Sequence, residues 1–189
     1  MKKLFFFFAL TLCTHILLAQ RTVNPNNYEI YVTIEGTKQG VFKGERTPGV
    51  VTMNKDKIIA NGFSYEVASP RDAASGQATG KRQHGYIKIS KPWGVATPQL
   101  FQAAVTGEIL KTVLLEFVRT APTGKEEVFQ TIKLTNASVA KIEQTAGILR
   151  EQTIANSMEL EMISFSFQKI EIENKIGKTM AADDLVTGR

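Results

Sequence analysis

Residues 69–107 read SPRDAASGQATGKRQHGYIKISKPWGVATPQLFQAAVTG, and the punctuation in this stretch decides how the chain is read. The part up to Gly85 is polar and built mostly of small residues, with Arg71, Asp72, Lys81, Arg82 and His84 among them. Residues 71–85 are long for a structureless connection inside a compact domain, and such loops are usually functional or disordered. Tyr86-Ile-Lys-Ile-Ser90 restores an alternating strand, which Pro92 is expected to break. Thr97-Pro98 then supplies an N-cap residue and a proline at the first helical position, and Gly107 supplies a stop. The spacing predicts a helix over Thr97–Thr106 whose core face is Leu100, Phe101, Ala104 and Val105.

Outside this stretch the signal is mainly β. Residues 28–35 alternate, with Tyr28, Ile30, Val32 and Ile34 on one face. Residues 58–68 carry a second alternation through Phe63, Tyr65 and Val67, with Asn61-Gly62 suited to a turn or bulge. Residues 109–120 are apolar on both faces: Val113, Leu115 and Phe117 on one, Leu110, Leu114 and Val118 on the other. Strands are expected over 127–135, 138–144 and 158–173, the last with Ile163, Phe165 and Phe167 on one face, while 145–157 reads as loop or short helix. The tail from Asn174 reads as polar, with Asp183-Asp184 as a charged turn. Short strands joined by turns and interrupted by one helix give a mainly β fold, an antiparallel barrel or sandwich.

The N-terminus, MKKLFFFFALTLCTHILLAQ, has two lysines, an apolar run from Leu4 to Leu18 and a small residue at Ala19. That is the pattern of a secretory signal peptide spanning 1–19, which leaves 20–189 as a single domain. Cleavage would remove Lys2 and Lys3 from 23 basic residues against 18 acidic ones, leaving 21 against 18. Such a balance is an ordinary solvated surface, so no nucleic-acid partner is expected, and no stable membrane anchor remains after cleavage. The single cysteine, Cys13, lies in the signal, so the mature chain has no disulfide, thiolate metal site or cysteine nucleophile.

No chemistry of a catalytic kind emerges. Gly76 and Gly80-Lys81-Arg82 are separated by three residues where a phosphate loop needs four, and Arg82 stands where a Ser or Thr should be. His84 is the one histidine beyond the signal and cannot build a histidine-rich metal site. It reads as a surface residue or, second, as a hydrogen-bonding group toward a neighbouring subunit. Trp93 is expected in the core. No nucleophile–base pair can be named, so neither an enzyme nor a cofactor is expected.

Several segments, in order, resemble one family. They are YEIYVTIEG (28–36), GFSYEVASPRDAASGQATGKRQH (62–84), YIKISKPWGVATPQLFQAAVTGE (86–108), LLEFVRTAPTGKEEVFQTIKLTNASVAKI (114–142), ISFSFQKIEIEN (163–174) and MAADDL (180–185). The chain resembles the hemolysin-coregulated proteins (Hcp), tube subunits of the bacterial type VI secretion system. The resemblance implies a small antiparallel β-barrel with one helix and an extended loop, six copies closing into a ring, and rings stacking into a tube that carries effectors. It implies sheath, spike and effector proteins as partners. It also implies that the loop, with Arg71, Asp72, Lys81, Arg82 and His84, reaches a neighbouring protomer. Family members usually lack a cleavable signal, so a second reading stands beside the first: an exported binding protein of the same fold, outside any tube.

Overall fold

The computed structural model describes residues 28–45, 56–146 and 159–187. The expected signal segment lies outside them, as does all of 145–157 beyond Ala146. Among the described residues there are twelve strands and one helix. The first half holds β1 (Tyr28–Gly36), β2 (Gly40–Val41), β3 (Ile58–Ala60), β4 (Gly62–Ser64), β5 (Val67–Ala68), β6 (Gln83–His84) and β7 (Ile87–Pro92). After α1 (Thr97–Thr106) come β8 (Leu110–Thr120), β9 (Glu126–Thr145), β10 (Leu160–Ser166), β11 (Lys169–Asn174) and β12 (Thr179–Asp184). Every pairing is antiparallel.

The circuit of hydrogen-bonded strands runs β3-β1-β8-β9-β10-β7-β4. It closes into a barrel because β4 follows β3 directly in the chain. Asn61 is the corner, its N–H donating to Ser90 O at 2.7 Å. The opposite corner is Asn136, whose φ of 49° is the left-handed bend that a short polar side chain tolerates. This bend lets one long strand, β9, serve two sheets: its first half pairs with β8 and β11, its second half with β10. The two strands expected over 127–135 and 138–144 are therefore one. The single strand expected over 158–173 is two, β10 and β11, divided near Gln168, whose N–H donates to Thr135 O at 3.2 Å. The polar tail is in fact strand β12, paired to β11.

Alternation sets the core. Ile34, Val113, Leu134 and Ile170 lie in register across four strands and face inward, as do Val32, Leu115 and Ile132 one row away. Each fully buried aliphatic side chain of this kind contributes about 1.5–3 kcal/mol of transfer free energy. Leu110, expected on the face of Leu114 and opposite Val113, is buried in the core with Val113. The reason is a bulge: Gly36 pairs with Leu110 and Glu35 with Thr112, so Lys111 is an extra residue that turns Leu110 inward.

The helix caps one side of the barrel and lies against β9. Its inward stripe is Ala96, Leu100 and Ala103, all buried. Phe101 and Val105, expected in the core, are 57% and 61% exposed. They sit one position on from Leu100 and Ala104, a rotation of about 100° that carries them off the buried stripe; Ala104 itself is partly buried against the core. The N-cap is Ala96 rather than Thr97, with no side-chain cap, while Gly107 ends the helix in the left-handed conformation at φ 59°. β7 ends at Pro92, as expected, with Pro92 itself still paired with Leu160. Trp93 is half exposed rather than core, its indole N–H donating to Leu160 O at 3.2 Å.

Candidate functional site

The loop of residues 69–85 is folded on itself. At its base β5 and β6 form a separate two-stranded ribbon, Val67 opposite His84 and Ala68 opposite Gln83. Further out, Arg71 bridges to Ala78, Asp72 N–H donates to Gln77 O at 2.8 Å and Thr79 N–H to Pro70 O at 3.0 Å. Gly76 closes the tip with a φ of 69°, where a side chain would be strained. The result is an ordered arm of small exposed residues.

The five residues expected to contact a neighbour fall into three groups. Arg71 and Asp72 organise the tip. Arg71 Nη1 donates to Gly76 O at 3.1 Å, and Asp72 Oδ1 accepts from Ala74 N–H at 3.1 Å, Ser75 N–H at 2.7 Å and the Ser75 hydroxyl at 2.8 Å. Hydrogen bonds from Ser75, and then Ala74, hold the Asp72 carboxyl below its usual range. Lys81 is exposed and has no partner among the described residues.

Arg82 and His84 are fixed within the subunit, by Asp183 of β12. The Arg82 guanidinium donates through Nε and Nη2 to the two carboxylate oxygens, a bidentate fork, and reaches Asp184 O at 3.3 Å. His84 Nε2 lies 2.9 Å from Asp183 Oδ2, and its Nδ1 is 2.5 Å from the Tyr65 hydroxyl. With a neutral ring, Nε2–H donates to the carboxylate and the tyrosine hydroxyl donates to Nδ1. The imidazole stacks on Tyr65, meets Phe167 edge-on with centroids 5.8 Å apart, and leaves only 7% of its side chain exposed. His84 is thus not the surface residue expected, and Asp183 not a charged turn. Both histidine nitrogens are hydrogen-bonded within the subunit.

The electrostatics follow from this geometry. The hydrogen bond from Arg82 holds the Asp183 carboxyl below its usual value against the opposing effect of burial, with His84 adding to the same side. The same bond raises Arg82. Burial, and then the Asp183 charge, push the Tyr65 phenol up.

Two further clusters fix the helix. Buried Glu108 accepts from Lys38 N–H at 2.6 Å, Gln39 N–H at 2.9 Å and the Gln39 amide at 2.9 Å, joining the helix end to the β1–β2 turn. Burial pushes its carboxyl up, and the Gln39 and Lys38 hydrogen bonds outweigh that and hold it below the usual range. At the other end Lys91 Nζ donates to Glu161 Oε1 at 3.0 Å and to Pro92 O at 2.6 Å. Glu161 also accepts from the Thr97 hydroxyl at 2.7 Å and the Gln144 amide at 2.9 Å, while Thr97 Oγ1 accepts from Gly94 N–H at 2.9 Å rather than from the first turn of the helix. Among the described residues no group of three or more His, Cys, Asp or Glu could hold a metal ion.

Comparison with known proteins agrees with this architecture. Residues 31–173 match the family model described as "Type VI secretion system effector, Hcp". The chain is 32% identical over 164 residues to the "Major exported protein" of Pseudomonas aeruginosa, covering 82% of this chain and 93% of that one. A crystal structure of an Hcp protein superposes with a TM-score of 0.76 at 30% identity, over 84% of this chain and 98% of that one. The secreted protein Hcp3 of Pseudomonas aeruginosa superposes at 0.67 with 27% identity, over 84% and 98%. With the matched segment spanning the barrel from β1 to β11 and including the arm and the helix, the chain belongs to the Hcp family of type VI secretion proteins.

Proposed function

We propose that the protein is a structural tube subunit: six copies close into a ring, rings stack, and the hollow assembly carries effectors in company with sheath and spike proteins. The observation that carries this reading is the family membership of nearly the whole described fold together with an ordered arm standing off the barrel. Physical features of the surface support it. The edge of β12 away from β11 has no strand partner among the described residues, and the helix leaves Phe101 and Val105 exposed. A closed ring gives such edges and apolar faces a place to be covered. Of the five arm residues, Lys81 is the one with no hydrogen-bond partner among the described residues, so it is the contact we assign to a neighbouring protomer. The role is structural rather than catalytic.

Export is part of the proposal. Residues 1–19 read as a cleaved signal, and the Pseudomonas aeruginosa relative is called an exported protein. The signal pattern also favours a second reading, an exported Hcp-fold binding protein in the periplasm or outside the cell. Negative-stain microscopy of the secreted chain separates the two: rings, lost in Lys81→Glu while the melting temperature holds, support the tube reading. Isolated particles at every concentration support the second. N-terminal sequencing of the secreted form tests cleavage after Ala19.

A further inference from the structure

We propose that Asp183 is the positioning residue of the arm, so that the C-terminal hairpin decides where the arm points. This rests on the assembly role given to the arm above. Asp183 pairs with Ile170, and the same row continues inward through Leu134, Val113 and Ile34. An acid therefore occupies the end of a row that is otherwise aliphatic. It spends its charge on the base of the arm, accepting from Nε and Nη2 of Arg82 and pairing with Nε2 of His84.

The two elements it joins are weak by themselves. Among the described residues the β5–β6 ribbon has two residues per strand and pairs with no other strand, and β12 pairs only with β11. Two-stranded ribbons are marginal in isolation, so the carboxylate between them decides whether both are ordered. The apolar part of the contact, Tyr65 against Phe167 at 6.2 Å, supports the ribbon from below. It sets no direction for the strand that leads out to the tip, whereas the bidentate fork of Arg82 does. Binding at the arm and order in the C-terminal hairpin are then coupled, each favouring the other.

Hydrogen exchange on the full secreted chain tests this. Asp183→Asn keeps the shape and removes the charge; Arg82→Gln removes the bond from the other side. In each, amides of 66–85 should exchange about tenfold faster while β8 and β9 keep their protection. Unchanged arm exchange in Asp183→Asn overturns the proposal, as does an equal rise in arm and barrel, which would make Asp183 a general stabiliser. The Asp183→Arg, Arg82→Asp double variant reverses the pair, and recovery of arm protection above either single variant is expected; a failure to recover counts against a specific pairing. Faster arm exchange with ring mass unaltered would keep the anchor and remove the arm from assembly, so the two readings fail separately.

Discussion

Lys91 and Glu161 form an ion pair at 3.0 Å in which neither side chain exposes any surface to solvent. The pair joins β7 to β10 beside the helix start, and Thr97 and Gln144 complete the carboxylate. Removing Lys91 leaves the Glu161 carboxylate buried without its cation, and removing Glu161 leaves the buried ammonium only the more distant Glu45 carboxylate at 3.7 Å. Lys91→Met and Glu161→Gln should each destabilise the fold by about 3–5 kcal/mol. The double variant should cost well below the sum, as urea unfolding in a double-mutant cycle would measure. Additive losses would mean the two groups do not act as a pair.

The helix makes an internal comparison available. Leu100 is fully buried whereas Phe101, its neighbour, is mostly exposed. Leu100→Ala should cost about 2–5 kcal/mol, and Phe101→Ala or Val105→Ala should fall within about 0.5 kcal/mol. Thermal melts of the three variants check this. A large loss at Phe101 in dissociated subunits would place it in the core after all.

Glu108 ties the β1–β2 turn to the helix end, and Gly36 leaves it room. A Cβ built on Gly36 would stand 2.4 Å from Glu108 Oε1. Gly36→Ala therefore displaces the carboxylate from its three donors and should destabilise by about 1–3 kcal/mol. Glu108→Gln, which offers one acceptor oxygen where two are used, should fall in the same range. Chemical denaturation decides it: Gly36→Ala made in a Glu108→Ala background should then cost much less.

Acid should loosen the arm. Asp183 is held below the usual carboxylate range, first by the Arg82 hydrogen bond. A carboxyl depressed in the folded state contributes stability above its unfolded pKa and loses it as pH falls through the folded one. Glu108, Glu171 and Asp72 are depressed as well and act with the same sign. The melting temperature should decline as pH drops below about 4, and the decline should be shallower in Asp183→Asn. An identical acid slope in wild type and variant would contradict this assignment.

Much of the barrel is legible in the sequence because burial imposes a period of two. The alternations through Ile30, Val32 and Ile34, and through Val113, Leu115 and Phe117, face the core. The stop at Gly107 is legible because its conformation demands glycine. What escapes is whatever breaks the period or acts over distance. Asn136 bends a strand without ending it, the extra residue at Lys111 reverses Leu110, and Gln168 divides one alternating run between two sheets. On the helix the expected face holds at Leu100 and Ala104 and fails at Phe101 and Val105, because two apolar stripes are adjacent and only packing chooses between them. The arm's anchor left no local trace: His84 and Asp183 are 99 residues apart, and no spacing rule connects them.

The proposed ring is tested most directly by the mass of the purified protein in solution, measured by analytical ultracentrifugation at tens of micromolar. A species of six chains is expected in wild type, shifting toward single chains in Lys81→Glu with the fold intact. A wild-type protein that sediments as one chain throughout that range would contradict it.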